Sequence, residues 1–175
     1  PYDPLFFEEP IRPENFEAWG ELKRALACTL ATGESLYSRF EFLRLLAVRG
    51  ADIIQPDVCC CGGLTELKKI AALAEAEYVS VAPHNPMGPV ATAVNAQFDA
   101  TATTFLIQEY HVDTDGPRRD LVLEPYKLVD GYLALDHAVN LRTIELALDF
   151  GVDILNRNGF YETCDFWNPA QVRNL

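Results

Sequence analysis

A repeat of about 25 residues constrains the fold of this chain more than any other feature of its sequence. Each unit is a short apolar run that ends in one acidic or histidine side chain and is followed by a segment with helical spacing. The polar residues at the run ends are, in chain order, Glu8, Glu34, Asp57, His84 and Glu109, at intervals of 26, 23, 27 and 25 residues. Because one strand and one helix occupy about 30 residues in eight-stranded βα barrels, the repeat predicts consecutive βα units.

The carboxyl ends of parallel strands lie at one edge of a sheet, which we call the mouth. Residues at this edge of a βα barrel tend to be catalytic, whereas those at the opposite edge tend to be structural. Any one of the five run-end residues could equally be a loop residue or a helix N-cap. Five polar residues in register make a shared site the better interpretation.

Apolar spacing and chain-breaking residues give the predicted elements. The predicted strands cover residues 5–7, 28–32, 53–54, 79–84 and 104–107, and the predicted helices cover 13–27, 39–49, 64–77 and 87–98. Ser38 is a candidate N-cap, and Pro89 suits the first turn of its helix. After residue 110 the repeat stops. We expect a loop-rich excursion over 113–131, a helix over 141–150 and an aromatic tail over 160–167. The predicted domains are therefore a site-bearing partial barrel, 1–110, and a segment packed on the barrel or its lid, 111–175.

Charge, hydropathy and cysteine usage exclude several classes of function. The net charge of −12 argues against nucleic acid as a partner, because phosphates require clustered basic residues. No apolar run approaches the ~20 residues of a membrane span. The five cysteines include the adjacent run 59–61, which matches neither a disulfide framework nor zinc-ligand spacing. We therefore expect a cytoplasmic protein without a membrane or nucleic-acid partner.

The run-end residues suggest two pieces of chemistry. Glu8 and Glu34 end adjacent strands, and paired carboxylates suit a hard cation such as Mg²⁺, although they could equally bind arginine side chains. Asp57 and His84 also end adjacent strands, about 4.8 Å apart, so their side chains can form a hydrogen bond. Such a dyad would make His84 a general base, whereas a purely structural histidine–carboxylate pair is the alternative.

Six motifs together resemble the mandelate racemase branch of the enolase superfamily, and within it galactonate dehydratases and related acid-sugar dehydratases. They are LFFEEP (5–10), ATGESLYSRF (31–40), QPD (55–57), CGGLTE (61–66), APHNPMGP (82–89) and QE (108–109), with DFWNP (165–169) resembling the family's C-terminal segment. The resemblance implies the C-terminal part, about strands 4–8, of a modified TIM (β/α) barrel. It also implies that the first strands and the N-terminal lid domain are missing from this chain.

The resemblance assigns a role to each run-end residue. Glu8 and Glu34 match the second and third of three carboxylates that hold Mg²⁺. Asp57 and His84 match the dyad base, and Glu109 matches the strand-end acid near the substrate carboxylate. The resemblance also implies the superfamily's general chemistry, in which a Lys or His base removes a proton and Mg²⁺ stabilises an ene-diolate.

The implied function is Mg²⁺-dependent dehydration of an acid sugar, with galactonate as the first candidate. Removal of the α-proton forms an enediolate, and the β-hydroxyl is then eliminated from it. A racemase or epimerase on the same scaffold, or a non-catalytic binding protein, is the alternative. Ser35 follows Glu34 where many of these dehydratases carry Arg, and 136–158 departs from the expected glycine-rich pattern. We expect the 175-residue chain alone to be inactive, and the full-length enzyme to be a homo-oligomer that binds a small acid sugar.

Overall fold

The centre of the molecule is a parallel sheet whose strands alternate with helices. The computed structural model describes residues 3–111 and 126–135. The strands are β1 (Phe7–Glu8), β2 (Leu30–Thr32), β3 (Ile53–Ile54) and β4 (Ser80–Val81), and the helices are α1 (Phe16–Ala25), α2 (Arg39–Ala47), α3 (Leu64–Ala76) and α4 (Pro89–Asp99). The strands lie in the order β1-β2-β3-β4, so each βα unit places its strand beside the previous one. The alternation predicted from the repeat is confirmed.

The predicted fifth strand, 104–107, is wrong as a regular strand. It makes a single parallel bridge, between Phe105 and Val81. Val81 donates to the carbonyl of Thr104 and accepts from the amide of Leu106, both at 2.8 Å. The next donor on that side of β4 belongs to Pro83, which has no N–H, so the ladder cannot continue.

The hydrophobic core lies between the sheet and the helices. Its largest fully buried side chains include Trp19, Phe42, Leu45, Ile54 and Leu67. A separate small cluster of Ala31, Ile53 and Ala82 lies apart from this core, and the partly buried Phe6 packs against it. Along the strands, Leu30, Ile54 and Val81 belong to the main core, and their neighbours Ala31, Ile53 and Ala82 form the second cluster.

The helix termini follow the sequence signals, with one correction. The Glu41 carboxylate accepts from the backbone N–H of Ser38 at 2.9 Å, so α2 begins with the reciprocal contact of a capping box. Pro89 lies in the first turn of α4, as predicted. The first helix was predicted to extend to residue 27, but Leu26 lies beyond its end and is 39% exposed. The helix ends at Ala25, and Leu26 adopts an extended conformation as its C-cap.

The loop-rich excursion contains a small hairpin. Strands β5 (Leu128–Val129) and β6 (Tyr132–Leu133) pair antiparallel across Asp130-Gly131. Both turn residues have positive φ, of 50° and 84°, as a two-residue hairpin turn of the mirror-image type requires. The predicted helix 141–150 and tail 160–167 lie outside the described residues, as does most of 111–175. Within residues 3–111 and 126–135, no helix is long and apolar enough to span a bilayer.

Asp99, at the end of α4, makes the stability of the fold depend on pH. One of its carboxylate oxygens is buried without a hydrogen-bond partner. Burial raises the pKa of Asp99 from 3.8 to about 7. Because the folded state then binds more protons than the unfolded state, its stability falls as pH rises from about 4 to about 7.

We therefore expect Asp99→Asn to be more stable than the wild-type chain at pH 8, by about 1–2 kcal/mol after allowance for partial solvation. The advantage should shrink as the pH falls and disappear below about pH 4, where the wild-type carboxyl becomes protonated in both states. Urea unfolding at about pH 5 and pH 8 measures it. Asp130→Asn, at an exposed hairpin position, is the matched control. An equal difference at both pH values would contradict the prediction.

Candidate active site at the strand ends

A hydrogen-bonded histidine and aspartate lie at the ends of β3 and β4. Asp57 and His84 form an isolated parallel bridge beyond the two strands, so the backbone places their side chains next to each other. His84 Nδ1 lies 2.9 Å from Asp57 Oδ2. Asp57 is completely buried, and its other oxygen accepts from the backbone N–H of Cys59 at 2.7 Å. The carboxylate is thereby fixed, and it selects the tautomer of His84 with its proton on Nδ1.

The second ring nitrogen of His84 faces two more of the predicted carboxylates. Nε2 lies 3.1 Å from Glu34 Oε2 and 3.9 Å from Glu109 Oε2. Burial lowers the pKa of His84, but the hydrogen bond to Asp57 and the charges of Glu34 and Glu109 outweigh it, so the pKa is raised above its ordinary value. The structure thus brings four of the five run-end residues into one group.

Glu34 is a carboxyl of this group whose pKa burial and its neighbours raise. Burial raises the pKa of its carboxyl, the charge of His84 lowers it, and the nearby carboxylates of Glu9, Glu8 and Glu109 raise it further. Gly33 delivers Glu34 to this position at φ 138°, and a Cβ there would meet the Phe42 ring at 2.8 Å. Only glycine fits this turn, because both the conformation and the close ring contact exclude a side chain.

The two adjacent glutamates at the end of β1, Glu8 and Glu9, have different partners. Glu8 Oε1 accepts from Gln55 Nε2 at 3.0 Å. Glu9, at φ 40°, accepts from Thr32 Oγ1 at 2.6 Å and from the backbone N–H of Gly33 at 3.3 Å. The sequence predicted Glu8 at the mouth, and both carboxylates lie at the strand ends. The sequence did not identify Gln55 as a site residue. Its position two residues before Asp57 on the same extended segment is a signal that could have placed it at the mouth.

The donor set at the mouth fits a hard cation. Glu8 and Glu34 offer carboxylate oxygens, and the like charges that raise the pKa of Glu34 would be offset by a positive ion. In the part of the chain that the structure describes, no group of three or more His, Cys, Asp or Glu side chains is arranged to hold a metal. Metal binding by Glu8 and Glu34 therefore stays a prediction.

Glu109 is held from two sides. Its Oε2 accepts from the backbone N–H of Asn85 at 3.0 Å, and its Oε1 lies 3.3 Å from Nε2 of His111. The sequence repeat pointed to neither Asn85 nor His111, because both lie one or two residues beyond a run end. Their proximity to a predicted site residue is the only signal that the sequence offers.

The cysteine run lies in the loop after β3, beside Asp57. Burial and the Asp57 charge raise the pKa of Cys59 to about 11 and that of Cys61 to about 12. Both are thiols at neutral pH and so are poor nucleophiles and metal ligands. Gly62 and Gly63, at φ 100° and 89°, form the tight turn that leads into α3.

Comparison with known proteins gives consistent family and fold matches. Residues 1–139 match the family model described as enolase C-terminal domain-like. A D-galactonate dehydratase of Verminephrobacter eiseniae (strain EF01-2) is 42% identical over 137 residues, covering 75% of this chain and 36% of the relative. That of Variovorax paradoxus (strain S110) is 49% identical over 109 residues, covering 62% and 28%. The chain spans about a third of the length of these curated relatives.

Solved structures agree with this assignment. An enolase from Agrobacterium radiobacter, described as a candidate galactarate dehydratase with bound Na and L-malate, is 54% identical with a TM-score of 0.74, covering 78% of this chain and 38% of that chain. A candidate mandelate racemase/muconate lactonizing enzyme from Labrenzia alexandrii DFL-11 is 40% identical with a TM-score of 0.71, covering 75% and 34%. The α/β fold with its parallel sheet is shared with these neighbours. The chain belongs to the enolase C-terminal domain-like family, within the mandelate racemase branch that its strand-end motifs resemble.

Proposed function

We propose that this chain supplies part of the active site of a Mg²⁺-dependent acid-sugar dehydratase. The observation that carries the proposal is the geometry of His84, whose Nδ1 is fixed by buried Asp57 while Nε2 faces the other carboxylates of the mouth. Relatives named D-galactonate dehydratase support the reaction class. Since the chain spans about a third of their length, the activity is proposed for the complete protein. In it, residues 1–110 form about strands 4–8 of the barrel with their helices, and 111–175 pack on the barrel or the lid.

His84 acts as the general base in this proposal. Asp57 keeps a proton on Nδ1, so the neutral imidazole presents its lone pair at Nε2, where it can take the proton from the carbon next to the substrate carboxylate. The imidazolium that results is stabilised by Asp57. A hydroxyl on the next carbon then leaves with a proton as water, and the enol product rearranges to a 2-keto-3-deoxy acid. The donor of that second proton is a residue outside 3–111 and 126–135.

Glu8 and Glu34 would hold Mg²⁺ in this proposal, together with a third carboxylate from outside the described residues. The ion would supply positive charge where the substrate carboxylate gains a second negative charge as its α-proton leaves. Gln55 holds the Glu8 carboxylate through one oxygen, and Glu9 holds Gly33 in the turn that carries Glu34. These contacts orient the two ligands before any ion binds.

A diacid is a second candidate substrate. The Agrobacterium radiobacter structure, at 54% identity, is described as a candidate galactarate dehydratase and contains L-malate, which has two carboxylates. The described mouth favours a monoacid, because the Glu9 and Glu109 carboxylates already crowd Glu34 and would repel a second substrate carboxylate. A racemase would need a second base on the opposite face of the substrate, and a binding protein would have no need of the dyad.

The base assignment predicts that His84→Asn in the complete protein lowers turnover by ~10²–10⁴-fold while substrate and Mg²⁺ still bind. Asp57→Asn should also lower the rate strongly, because an amide can hold the ring in the wrong tautomer and cannot stabilise the imidazolium. Steady-state kinetics with calorimetric binding separates the two effects. With α-deuterated substrate, the wild-type enzyme should show a primary isotope effect. Near wild-type turnover in His84→Asn would place the base elsewhere.

The metal assignment predicts that Glu8→Gln and Glu34→Gln each weaken Mg²⁺ binding and abolish turnover, because a neutral amide replaces a charged ligand. Isothermal calorimetry of Mg²⁺ binding, without substrate, reads this out independently of activity. Glu66→Gln is the control, since the Glu66 carboxylate is already paired with Arg39 at 2.7 Å. Unchanged Mg²⁺ affinity in both mouth variants would show that these glutamates are not ligands.

The acidic mouth predicts that kcat/KM for galactonate exceeds that for galactarate by at least ~tenfold, about 1.4 kcal/mol of discrimination. Both substrates should be assayed with the complete protein at one ionic strength. Galactitol, which has no carboxylate and so no acidified α-proton, is the negative control. A preference for galactarate would mean that residues outside the described part provide a cationic subsite for the second carboxylate.

A further inference from the structure

The position of Glu109 is not fixed by the sheet. The segment that carries it leaves β4 after one bridge at Phe105, because Pro83 offers no N–H to continue the ladder. The following residues Leu106 and Ile107 are 44% and 45% exposed, so packing does not hold this segment either. Something other than strand pairing must place the Glu109 carboxylate 3.9 Å from His84 Nε2.

Asn85 provides the connection. Its backbone N–H donates to Glu109 Oε2 at 3.0 Å, and its Nδ2 donates to the Glu109 carbonyl at 3.1 Å. The same Nδ2 donates to Thr92 Oγ1 at 2.9 Å, which ties the pair to α4. Gln108 Nε2 also donates to the Glu109 carbonyl, at 2.8 Å, and to the Pro83 carbonyl, at 3.0 Å. Side-chain amides thus replace the missing ladder.

The chemistry of Asn85 indicates that its donor group is what the fold requires. The side chain is 1% exposed, and its Oδ1 is buried without a hydrogen-bond partner. A buried unpartnered acceptor costs about 1–3 kcal/mol, so an apolar residue of the same size would serve packing better. The amide cannot be turned over to pair Oδ1, because the Glu109 carbonyl has no proton to donate.

We propose that Asn85 is a positioning residue. Its side-chain amide holds the main-chain carbonyl of Glu109, which keeps the Glu109 carboxylate beside His84, and it acts on the reaction only through Glu109. The inference deepens the proposed function and rests on it, because Glu109 matters to turnover only if His84, whose Nε2 lies 3.9 Å from the Glu109 carboxylate, is the base. The geometric part, that Asn85 sets the distance between Glu109 and His84, does not depend on any activity.

The test uses Asn85→Leu, an apolar side chain of similar size and branching, in the complete protein. Thermal stability should be equal to or above that of wild type, because the unpartnered oxygen is removed. Turnover of the acid sugar should fall by ~10²-fold, the effect of displacing a reacting group by about 1 Å. If leucine does not fit the buried site and the variant fails to fold, Asn85→Ala provides the same test with a smaller side chain. Thr92→Val removes the other acceptor of Nδ2 and leaves the Glu109 contact, so its turnover should stay within about twofold of wild type.

A double-mutant cycle distinguishes positioning from general structural damage. In a Glu109→Gln background, Asn85→Leu should lower turnover little further, whereas a purely structural role would lower it by the same factor in both backgrounds. Wild-type turnover in Asn85→Leu, with Glu109→Gln impaired, would overturn the proposal and leave the proposed function standing. If the wild type dehydrates no acid sugar, the proposed function fails. Crystal structures of the wild type and of Asn85→Leu then decide the inference alone. An unchanged distance between Glu109 Oε2 and His84 Nε2 would overturn it.

Discussion

The candidate site depends on one hydrogen bond, between His84 Nδ1 and the buried carboxylate of Asp57, 2.9 Å apart. The parallel register of β3 and β4 produces this hydrogen bond. Ile54 pairs with Val81, and the two segments stay in the same register up to the bridge between Asp57 and His84. With Nδ1 occupied, the ring presents Nε2 to the mouth. The orientation of the proposed base is therefore set by sheet pairing and not by a flexible loop.

The second organising influence is the concentration of negative charge around that ring. Glu8, Glu9, Glu34 and Glu109 lie close enough for their charges to raise the pKa of Glu34 or His84. A fold accepts such crowding when a positive charge is available, which a bound cation would supply in the proposed enzyme. Three of these carboxylates also accept hydrogen bonds that orient them. Glu9 accepts from the backbone N–H of Gly33, Glu8 from the side-chain amide of Gln55, and Glu109 from the backbone N–H of Asn85.

Much of the fold could be predicted from the sequence, because one signal repeats in it. The strand at 53–54 and the helix at 64–77 are found at or within one residue of their predicted bounds, since glycine, proline and apolar spacing mark their ends. The failures have local causes. The fifth strand is lost because Pro83 interrupts its partner, and the periodicity of residues 104–107 does not reveal that. Asn85 and His111 were missed because each contacts Glu109 through a loop. Asn85 is 24 residues from Glu109 in sequence and His111 is 2, and apolar spacing does not encode the loop geometry that brings them together.

The central claim is that these strand-end residues remove the proton next to a carboxylate and expel the neighbouring hydroxyl. The most direct measurement is the reaction of the complete protein with galactonate in D₂O, followed by NMR. The account predicts a 2-keto-3-deoxy acid with one solvent deuterium at C3, because the enol formed by elimination takes its new proton from water. Deuterium at C2 with every hydroxyl retained would identify a racemase or epimerase. Recovery of galactonate without exchange would contradict the account.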